Sequence, residues 1–401
     1  MVNRFRLVFM MGGLLLTGWV GYRTYHYFFD DTTPAVILDG IDAEKYCAGN
    51  LQCIVKGSDS YNVANLSIWL DDVPLVTKFR INKKAFEHPF TINTHALNNG
   101  VHRLRVEAVN GTYRHNRSVH DYSFSVDNQP LQAAFVRPES DLKVFQGRTL
   151  HLQFQVNKPI KDARVKLLAQ EFKCYPESQG SSIYEAFIPI DCEEQPNEYL
   201  LALEIEDHVG NSQTLENKFQ VLMFPFKKHT VRVDSGKVQQ EEKLGKDDKE
   251  LRELIAQCCS QSPQEKLWRG AFITPLEMTT QTADFGSIRT TVEKGRYMHK
   301  AVDIIGQPKT VVWASQDGIV IAKDRFVQSG NTVVVDHGCG VMSLYCHLDK
   351  FATLNVGDHV KKGNPLGIMG KTGFATGDHL HWELVINGIP VDPMQWTKQN
   401  F

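Results

Sequence analysis

The chain has 401 residues, of which 42% are hydrophobic and 22% are charged, and this balance excludes a small single domain and a disordered chain. The 44 basic and 46 acidic residues give a formal net charge of -2, which excludes a global electrostatic attraction to nucleic acid. A mean hydropathy of -0.30 excludes a polytopic membrane protein. We therefore expect two or three domains.

The first thirty residues have the pattern of a secretory signal or a membrane anchor. Arg4 and Arg6 precede an apolar run over residues 7–22, and a group of aromatic residues follows at 25–29. At ~1.5 Å per residue the run reaches about 24 Å, so the aromatic residues would complete a span of ~30 Å. Because no small-residue cleavage site follows, we predict a signal-anchor or transmembrane helix over residues 1–30. A cleaved signal and a buried core helix are the alternatives.

Both a cleaved and an uncleaved signal would export the rest of the chain, where disulfides can form. Cys47 and Cys53 are six residues apart, and Cys174 and Cys192 are eighteen apart. Each pair would close a local loop in an oxidising compartment. Free buried thiols are the alternative for each pair, and spacing alone does not decide between them.

Residues 31–129 and 130–230 have the pattern of two β modules, with a boundary near residues 128–130. Apolar and polar residues alternate within short segments, at 66–70, 103–108, 122–126, 150–156, 199–205 and 219–221. This alternation without a long helical pattern predicts two immunoglobulin-like antiparallel β-sandwiches. The modules contain no dense cluster of nucleophiles or metal ligands, which favours a spacer or scaffold. Binding of an envelope protein partner or of the cell wall is the alternative.

Residues 231–266 are interpreted as a charged linker that leads into a helix. The stretch 234–253 is rich in Lys, Glu, Asp and Gln, and Leu251, Leu254 and Ile255 form an apolar stripe at helical spacing. The helix is expected to end near the adjacent cysteines at 258–259. We expect this connector to position the last domain and to have no chemistry of its own.

The candidate chemistry lies in residues 267–401. His299 and Asp303 form an H-x-x-x-D motif, and His379 and His381 form an H-x-H motif on a predicted strand. Alternate residues of a strand share one face, so the two imidazoles of H-x-H would lie side by side. Such a pair suits one metal ligand and one acid–base group, but the motif does not tell which histidine has which role. His347, at the end of an apolar run, is a further candidate.

His299, Asp303 and one histidine of H-x-H would together form a catalytic zinc site. Catalytic zinc commonly has three protein ligands and leaves its fourth position to water. Imidazole nitrogen with one carboxylate suits a borderline divalent metal better than Ca²⁺ or Mg²⁺. No H-E-x-x-H helix is present, so a glutamate base of that type is not expected.

Residues 267–396 resemble the lysostaphin/LytM-type zinc metallopeptidases, which cleave peptide cross-links or bridges in bacterial peptidoglycan. The resemblance rests on many motifs in the same order, namely Phe285-Gly286, H-x-x-x-D at 299–303, 314–318, 330–338, 345–348, 356–360, 362–363, 367–370, 372–383 with H-x-H, and 391–393. One departure is Ala301-Val302 before the aspartate. Another is Cys346, which we expect to be a small strand residue that faces away from the site.

The resemblance implies a role for each matching position. His299, Asp303 and His381 match the zinc ligands, while His347 and His379 match the two catalytic histidines beside one zinc ion per chain. The implied fold is a small antiparallel β domain with the zinc in an open groove. Together with the preceding segments, we expect a mainly β chain: a membrane helix, two immunoglobulin-like modules, the linker and this LytM-type domain.

The implied function is a zinc-dependent endopeptidase that cuts peptidoglycan stem peptides or cross-links during cell-wall remodelling. Its place would be the bacterial cell envelope, anchored by the N-terminal helix with the bulk exported. Glycine bridges and direct D-alanine–diaminopimelate cross-links both fit this class of site. The alternatives are a non-enzymatic LytM-like regulator that activates a cell-wall amidase, an adhesion or scaffold protein, and a metallopeptidase that acts on proteins.

Overall fold

The computed structural model describes residues 2–138, 142–230, 243–291 and 295–401. The described chain is mainly β and divides into two compact units. One unit contains Met1–Pro130 with His208–Asn211, and the other contains Leu131–Asp207 with Ser212–Phe401. The predicted linker over residues 231–266 falls partly outside the described residues, because 231–242 are among those not described.

The chain begins with helix α1 (Val2–Phe29), at the position where the sequence predicts a membrane segment. The basic flank of that prediction belongs to residues 2–14, whose side chains lie outside the described part. Among the described residues, no helix combines the length and the sustained apolar character that a bilayer crossing requires.

The first unit contains one connected six-stranded sheet. Its elements are β1 (Ala35–Asp39), β2 (Tyr46–Cys47), β3 (Asn50–Leu70), β4 (Val73–Asn93), a 3-10 turn (Thr94–Ala96), β5 (Gly100–Asn110) and β6 (Arg117–Val126). The order is β1-β3-β5-β6-β2, and β4 pairs with β3. A register shift between Ser58 and Val63 lets the first half of β3 pair with β1 and the second half with β5.

The second β module contains two sheets that share one hydrophobic core. Its strands are β7 (Ala133–Phe135), β8 (Lys143–Phe145), β9 (Thr149–Val156), β10 (Ile160–Leu167), β11 (Gln170–Lys173), β12 (Tyr175–Pro176), β13 (Ile183–Pro189), β14 (Glu198–Asp207) and β15 (Ser212–Leu222). The sheets have the orders β11-β10-β14-β15-β8 and β12-β13-β9-β7. Alternating residues such as Phe154, Val165 and Leu203 fill the space between them. This module is a β-sandwich. The first module is instead one connected sheet, because β3 is long enough to pair with β1 along its first half and with β5 along its second half. The immunoglobulin-like topology of both stays a prediction.

The C-terminal part contains helix α2 (Asp248–Gln261), an eight-stranded sheet and the short helix α3 (Pro393–Trp396). The strands are β16 (Lys228–Thr230), β17 (Thr280–Ala283), β18 (Ile288–Thr291), β19 (Gly295–Met298), β20 (Val302–Ile305), β21 (Val311–Trp313), β22 (Gly318–Phe326), β23 (Gly330–Asp336), β24 (Val341–Leu348), β25 (Lys350–Phe351), β26 (His359–Val360), β27 (Pro365–Ile368), β28 (Leu380–Ile386) and β29 (Ile389–Val391). The large sheet has the order β17-β20-β28-β24-β23-β22-β26, and β29 pairs with β28. Two further three-stranded sheets have the orders β16-β18-β19 and β21-β27-β25, and most of their strands alternate in the chain with those of the large sheet.

Helix α2 forms where the apolar stripe predicts it. Asp247 caps its first turn by accepting a hydrogen bond from the backbone N–H of Lys249. Leu251 and Ile255 of the stripe are buried against the large sheet, and Leu254 is partly buried there. The charged residues Lys249, Glu250 and Glu253 are exposed on its solvated side.

The sandwich and the C-terminal domain share a second hydrophobic core. Phe187 of β13 packs against Trp268 and Trp396, with ring centroids 5.4 and 5.7 Å apart. Thr149 of β9 accepts a hydrogen bond at its hydroxyl oxygen from the indole N–H of Trp396, at 2.9 Å. The sandwich is thus part of the same compact unit as the C-terminal domain.

All eight cysteines lie in the described residues, and all are free thiols. The loop-closing pairs that spacing permits, at 47/53 and 174/192, are not formed. Burial raises the pKa of the Cys192 thiol to about 12, so this group is protonated and inert at neutral pH. Cys192 instead packs into the apolar core beside Phe285.

Candidate active site

Two paired strands bring the H-x-x-x-D and H-x-H motifs together. β20 pairs antiparallel with β28, and Asp303 lies directly opposite His381 in this register. Directly opposed residues project to the same face of a sheet, so the carboxylate and the imidazole meet. His299 lies four residues before Asp303, just ahead of β20, and its ring reaches the same place. Motifs about eighty residues apart in the chain are thereby placed in contact.

Three atoms of these residues form a compact triangle. His299 Nε2 lies 3.2 Å from Asp303 Oδ1, and His381 Nδ1 lies 3.0 Å from the same oxygen. The two imidazole nitrogens are 3.1 Å apart. Ligands at ~2.0–2.1 Å from a tetrahedral ion are separated by roughly 3.3 Å, so the triangle has the size of three zinc ligands. Only small shifts would be needed to place an ion between these atoms.

The charge state of the triangle also suits a metal ion. Burial opposes ionisation of Asp303, but the hydrogen bonds from His299 and His381 hold the pKa of its carboxyl well below its usual range. Burial lowers the pKa of His299 although its hydrogen bond to Asp303 acts in the opposite direction. The site therefore offers an ionised carboxylate and an uncharged imidazole at neutral pH, which are the forms that bind metal.

His347 and His379 lie beside the triangle and face each other, with ring centroids 4.8 Å apart. Each Nδ1 lies within hydrogen-bond distance of a backbone carbonyl, that of Thr372 at 2.8 Å and that of Gly377 at 2.9 Å. A carbonyl only accepts, so Nδ1 carries the hydrogen in both rings and each Nε2 has a free lone pair. Burial lowers the pKa of both histidines, so both are uncharged and can accept a proton.

A β-bulge directs His347 to this side of the sheet. Its neighbour Cys346 lies directly opposite His381, so regular alternation would send His347 to the other face. The pairing of β24 with β23 shifts register here, and His347 has a φ of +63°. Bulges beside active sites commonly re-aim a side chain in this way. The expectation that Cys346 faces away from the site is therefore wrong: it shares the face of His381.

Sequence reasoning missed two charged contacts around the triangle. Arg289 of β18 donates a hydrogen bond from Nη2 to Asp303 Oδ2 at 2.5 Å. The buried Glu383 binds Arg252 of α2 and places its Oε2 4.0 Å from His381 Nε2. Glu383 is two residues after His381 on one strand, so alternation could have identified it. Arg289 and Arg252 come from other elements and have no local signal.

The five predicted residues thus lie together. Three of them form the triangle, and the other two lie next to it. Within the described residues, His299, Asp303 and His381 are also the one group of three potential ligands close enough to hold a metal ion. Their roles in binding and catalysis are taken up below as proposals.

Residues 297–393 match peptidase family M23. A DD-carboxypeptidase/endopeptidase, Mpg of Neisseria meningitidis, is 37% identical over 127 residues, which are 31% of this chain and 29% of the relative. Peptidoglycan DD-endopeptidase ShyA of Vibrio cholerae is 38% identical over 97 residues, which are 24% of this chain and 22% of the relative. The solved catalytic domain of lysostaphin from Staphylococcus simulans is 28% identical, with a TM-score of 0.27 over 30% of this chain and 92% of that domain.

The matches to the two curated relatives span less than a third of their length. The family match over residues 297–393 contains all five site residues. The resemblance to lysostaphin/LytM-type enzymes is confirmed for this part, and the C-terminal domain of the chain is a peptidase family M23 domain.

Proposed function

We propose that the chain is a zinc-dependent endopeptidase that hydrolyses peptide bonds in peptidoglycan. The observation that carries this proposal is the triangle of His299, Asp303 and His381 with two uncharged histidines beside it. The names of the relatives, which include peptidoglycan DD-endopeptidases, support peptidoglycan as the substrate. The same relatives support a place in the bacterial cell envelope.

His299 Nε2, Asp303 Oδ1 and His381 Nδ1 would hold the metal. A zinc ion in such a site polarises the scissile carbonyl and lowers the pKa of a bound water to near ~7. Arg289 holds the second oxygen of Asp303, which leaves Oδ1 directed at the triangle. The protein thus supplies two nitrogens and one oxygen in fixed positions.

His347 and His379 would move the protons. Each has a free Nε2 lone pair, because Nδ1 donates to a backbone carbonyl. One ring can accept the proton of the attacking water, and a ring that has become imidazolium can donate a proton to the leaving amine. The carbonyl contacts also fix the two rings in orientation, so little rearrangement is needed during the reaction.

The test compares the full-length chain with its His381→Ala variant after both have been loaded with zinc. We expect about one zinc ion per chain and release of fragments from purified cross-linked peptidoglycan, both lost in the variant. Fragment masses would identify the bond that is cut. His359→Ala is the matched control, since His359 is exposed in the short edge strand β26.

Two outcomes would contradict the proposal. Failure of the wild-type chain to bind zinc would remove the proposed ligand set. The enzyme proposal would also lose its support if the chain binds zinc but cuts no peptidoglycan. Lysostaphin, acting on a substrate with its own type of cross-link, is the positive control for that assay. If such an inactive chain stimulated a cell-wall amidase, the regulator alternative would replace it.

A further inference from the structure

Helix α2 packs on the face of the large sheet that carries the site. Leu251 and Ile255 are buried against a cluster formed by Ala322, Phe326, Val334, Met342, Leu344, Cys346 and Val385. Cys346 lies opposite His381 in the register, and Leu344 lies opposite Glu383. His381 and Glu383 therefore project from the same face that α2 covers. The helix lies outside residues 297–393, the part that matches the peptidase family.

The first contact from α2 toward the site passes through Glu383. Arg252 donates two hydrogen bonds to the carboxylate, at 2.6 and 3.0 Å, and Glu383 has a side chain only 1% exposed. Its Oε2 lies 4.0 Å from His381 Nε2, on the side of the ring opposite the triangle atom Nδ1. This distance is too long for a hydrogen bond, so the carboxylate acts on the ring through its charge and its volume.

Loss of Arg252 would leave Glu383 as a buried and unpaired charge. Such a group is strongly unfavourable unless it moves away from its buried position. Its movement would change the position of the carboxylate behind His381. Partners in this location orient metal-binding histidines, and their loss commonly weakens metal affinity about 10–100-fold.

The second contact passes through Ser329 to His347. Asp248, in the first turn of α2, accepts hydrogen bonds from the backbone N–H of Gln328 at 2.6 Å and of Ser329 at 3.0 Å. The Ser329 hydroxyl donates to the same side chain at 2.5 Å. The carbonyl of Ser329 then accepts the backbone N–H of His347 at 2.8 Å. Asp248 thus fixes the loop that holds the bulged backbone of His347.

We propose that α2 is a positioning element of the active site, in which Arg252 orients His381 through Glu383 and Asp248 orients His347 through Ser329. This inference rests on the proposed function, since it assigns His381 to metal binding and His347 to proton transfer. It replaces the expectation that the connector has no chemistry of its own. The two contacts have separable effects, because one reaches a metal ligand and the other does not.

The test of the first contact is the zinc dissociation constant of the full-length chain, measured by competition with a chelator. We expect Arg252→Met to weaken zinc binding about 10–100-fold and Arg252→Lys to restore part of the loss. Lys249→Met is the matched control, because Lys249 lies on the same helix with a side chain 78% exposed and should leave zinc affinity unchanged.

The test of the second contact is Asp248→Ala. We expect kcat to fall by about tenfold or more, with zinc affinity unchanged, because only the support of a proton-transfer group is lost. The thermal unfolding of each metal-free variant, measured in parallel, separates a loss of folding from a loss of positioning. If Arg252→Met does not fold, Glu383→Gln breaks the same ion pair from its other partner and keeps the side-chain shape.

Several results would overturn this inference and leave the proposed function intact. The first contact would be excluded if the wild-type chain binds zinc and cuts peptidoglycan while Arg252→Met or Glu383→Gln has a zinc dissociation constant within twofold of the wild-type value. An unchanged kcat in Asp248→Ala would exclude the second. Equal losses of zinc affinity and of kcat in all variants, in proportion to their unfolding, would show that α2 only stabilises the fold.

Discussion

At the scale of single residues, the two histidines of the H-x-H motif have different surroundings. His381 Nδ1 lies 3.0 Å from Asp303 Oδ1, whereas His379 Nε2 lies 3.8 Å from that oxygen. His379 is also tied by Nδ1 to the carbonyl of Gly377 and faces His347. The motif alone left the two roles open, and the geometry favours His381 as the ligand and His379 as the acid–base group.

The His379→Ala variant tests this division of roles. We expect it to retain zinc, because the three triangle atoms are unchanged, and to lose kcat by about 10²–10⁴-fold, the range typical of a proton-transfer residue. Metal content by mass spectrometry and turnover on purified peptidoglycan give the two readouts. Loss of zinc in His379→Ala together with its retention in His381→Ala would reverse the assignment.

His337 provides a test of pH dependence away from the metal triangle. It is fully buried, with Nδ1 2.6 Å from the carbonyl of Asp317 and Nε2 2.7 Å from the hydroxyl of Ser343. Burial lowers the pKa of His337 to about 4. Between pH 6.5, the ordinary pKa of histidine, and about pH 4, the unfolded chain therefore binds a proton at His337 that the folded chain does not bind. The contribution of His337 to the free energy of unfolding is fully present above pH 6.5 and is lost as the pH falls toward 4.

We expect His337 to lower the free energy of unfolding by about 3 kcal/mol between pH 7 and pH 4. The measurement is denaturant unfolding of the full-length chain at several pH values, compared with His337→Gln. The variant should be less stable at pH 7 and should lack this part of the decrease. Parallel pH curves for the two proteins would show that His337 does not contribute.

At the scale of elements, local sequence patterns predicted the strands and helix α2. Alternation predicted the strands of both modules and the strand that carries His381, and the stripe that includes Leu251 and Ile255 predicted α2. Neither pattern reports which strands become neighbours, so the contact of Arg289 with Asp303 could not be predicted. Cys346 was assigned to the wrong face because a bulge interrupts the alternation that the prediction assumed.

The five site residues came from motifs whose family resemblance supplied their roles, and the structure then placed them together. The sequence did not show which other residues hold these five side chains in position. Glu383 could be found from its spacing to His381, but Arg252 belongs to a helix more than a hundred residues earlier. Long-range ion pairs have no periodic signature, so they emerge only from the folded chain.

Phe187 tests how strongly β13 supports the C-terminal domain. Its side chain is fully buried between aromatic rings that include Trp268 and Trp396. We expect Phe187→Ala to reduce the free energy of unfolding by about 3–5 kcal/mol, because it leaves a cavity in this core. Leu200→Ala, in a strand of the same sandwich with an exposed side chain, should change it by under about 0.5 kcal/mol. Similar values for both variants in thermal or denaturant unfolding would contradict this.

At the scale of the whole molecule, the boundary of the peptidase domain in sequence differs from the boundary of the compact unit. The unit includes the sandwich, α2 and the large sheet, whereas the family match begins at residue 297. Trp268 and Trp396 are buried partly by sandwich residues. A fragment limited to residues 267–401 would therefore expose apolar surface and would lack α2.

We expect a fragment of residues 131–401 to unfold at a higher temperature than a fragment of residues 267–401. The shorter fragment should also bind a fluorescent apolar dye more strongly, because it exposes the rings around Trp396. Calorimetry and dye binding at equal concentration give the comparison. Equal transition temperatures would show that the sandwich does not stabilise the C-terminal domain.

The left-handed backbone at His347 bears on how an inactive form of this protein should be made for trapping a bound substrate. Alanine at this position would remove the ring but would still have to adopt a φ of +63°, which a Cβ makes unfavourable. Asparagine occupies this region more readily than other non-glycine residues. If the proposed function holds, His347→Asn is therefore the substitution of choice for capturing an uncut peptide in a crystal, because it keeps the backbone of the bulge.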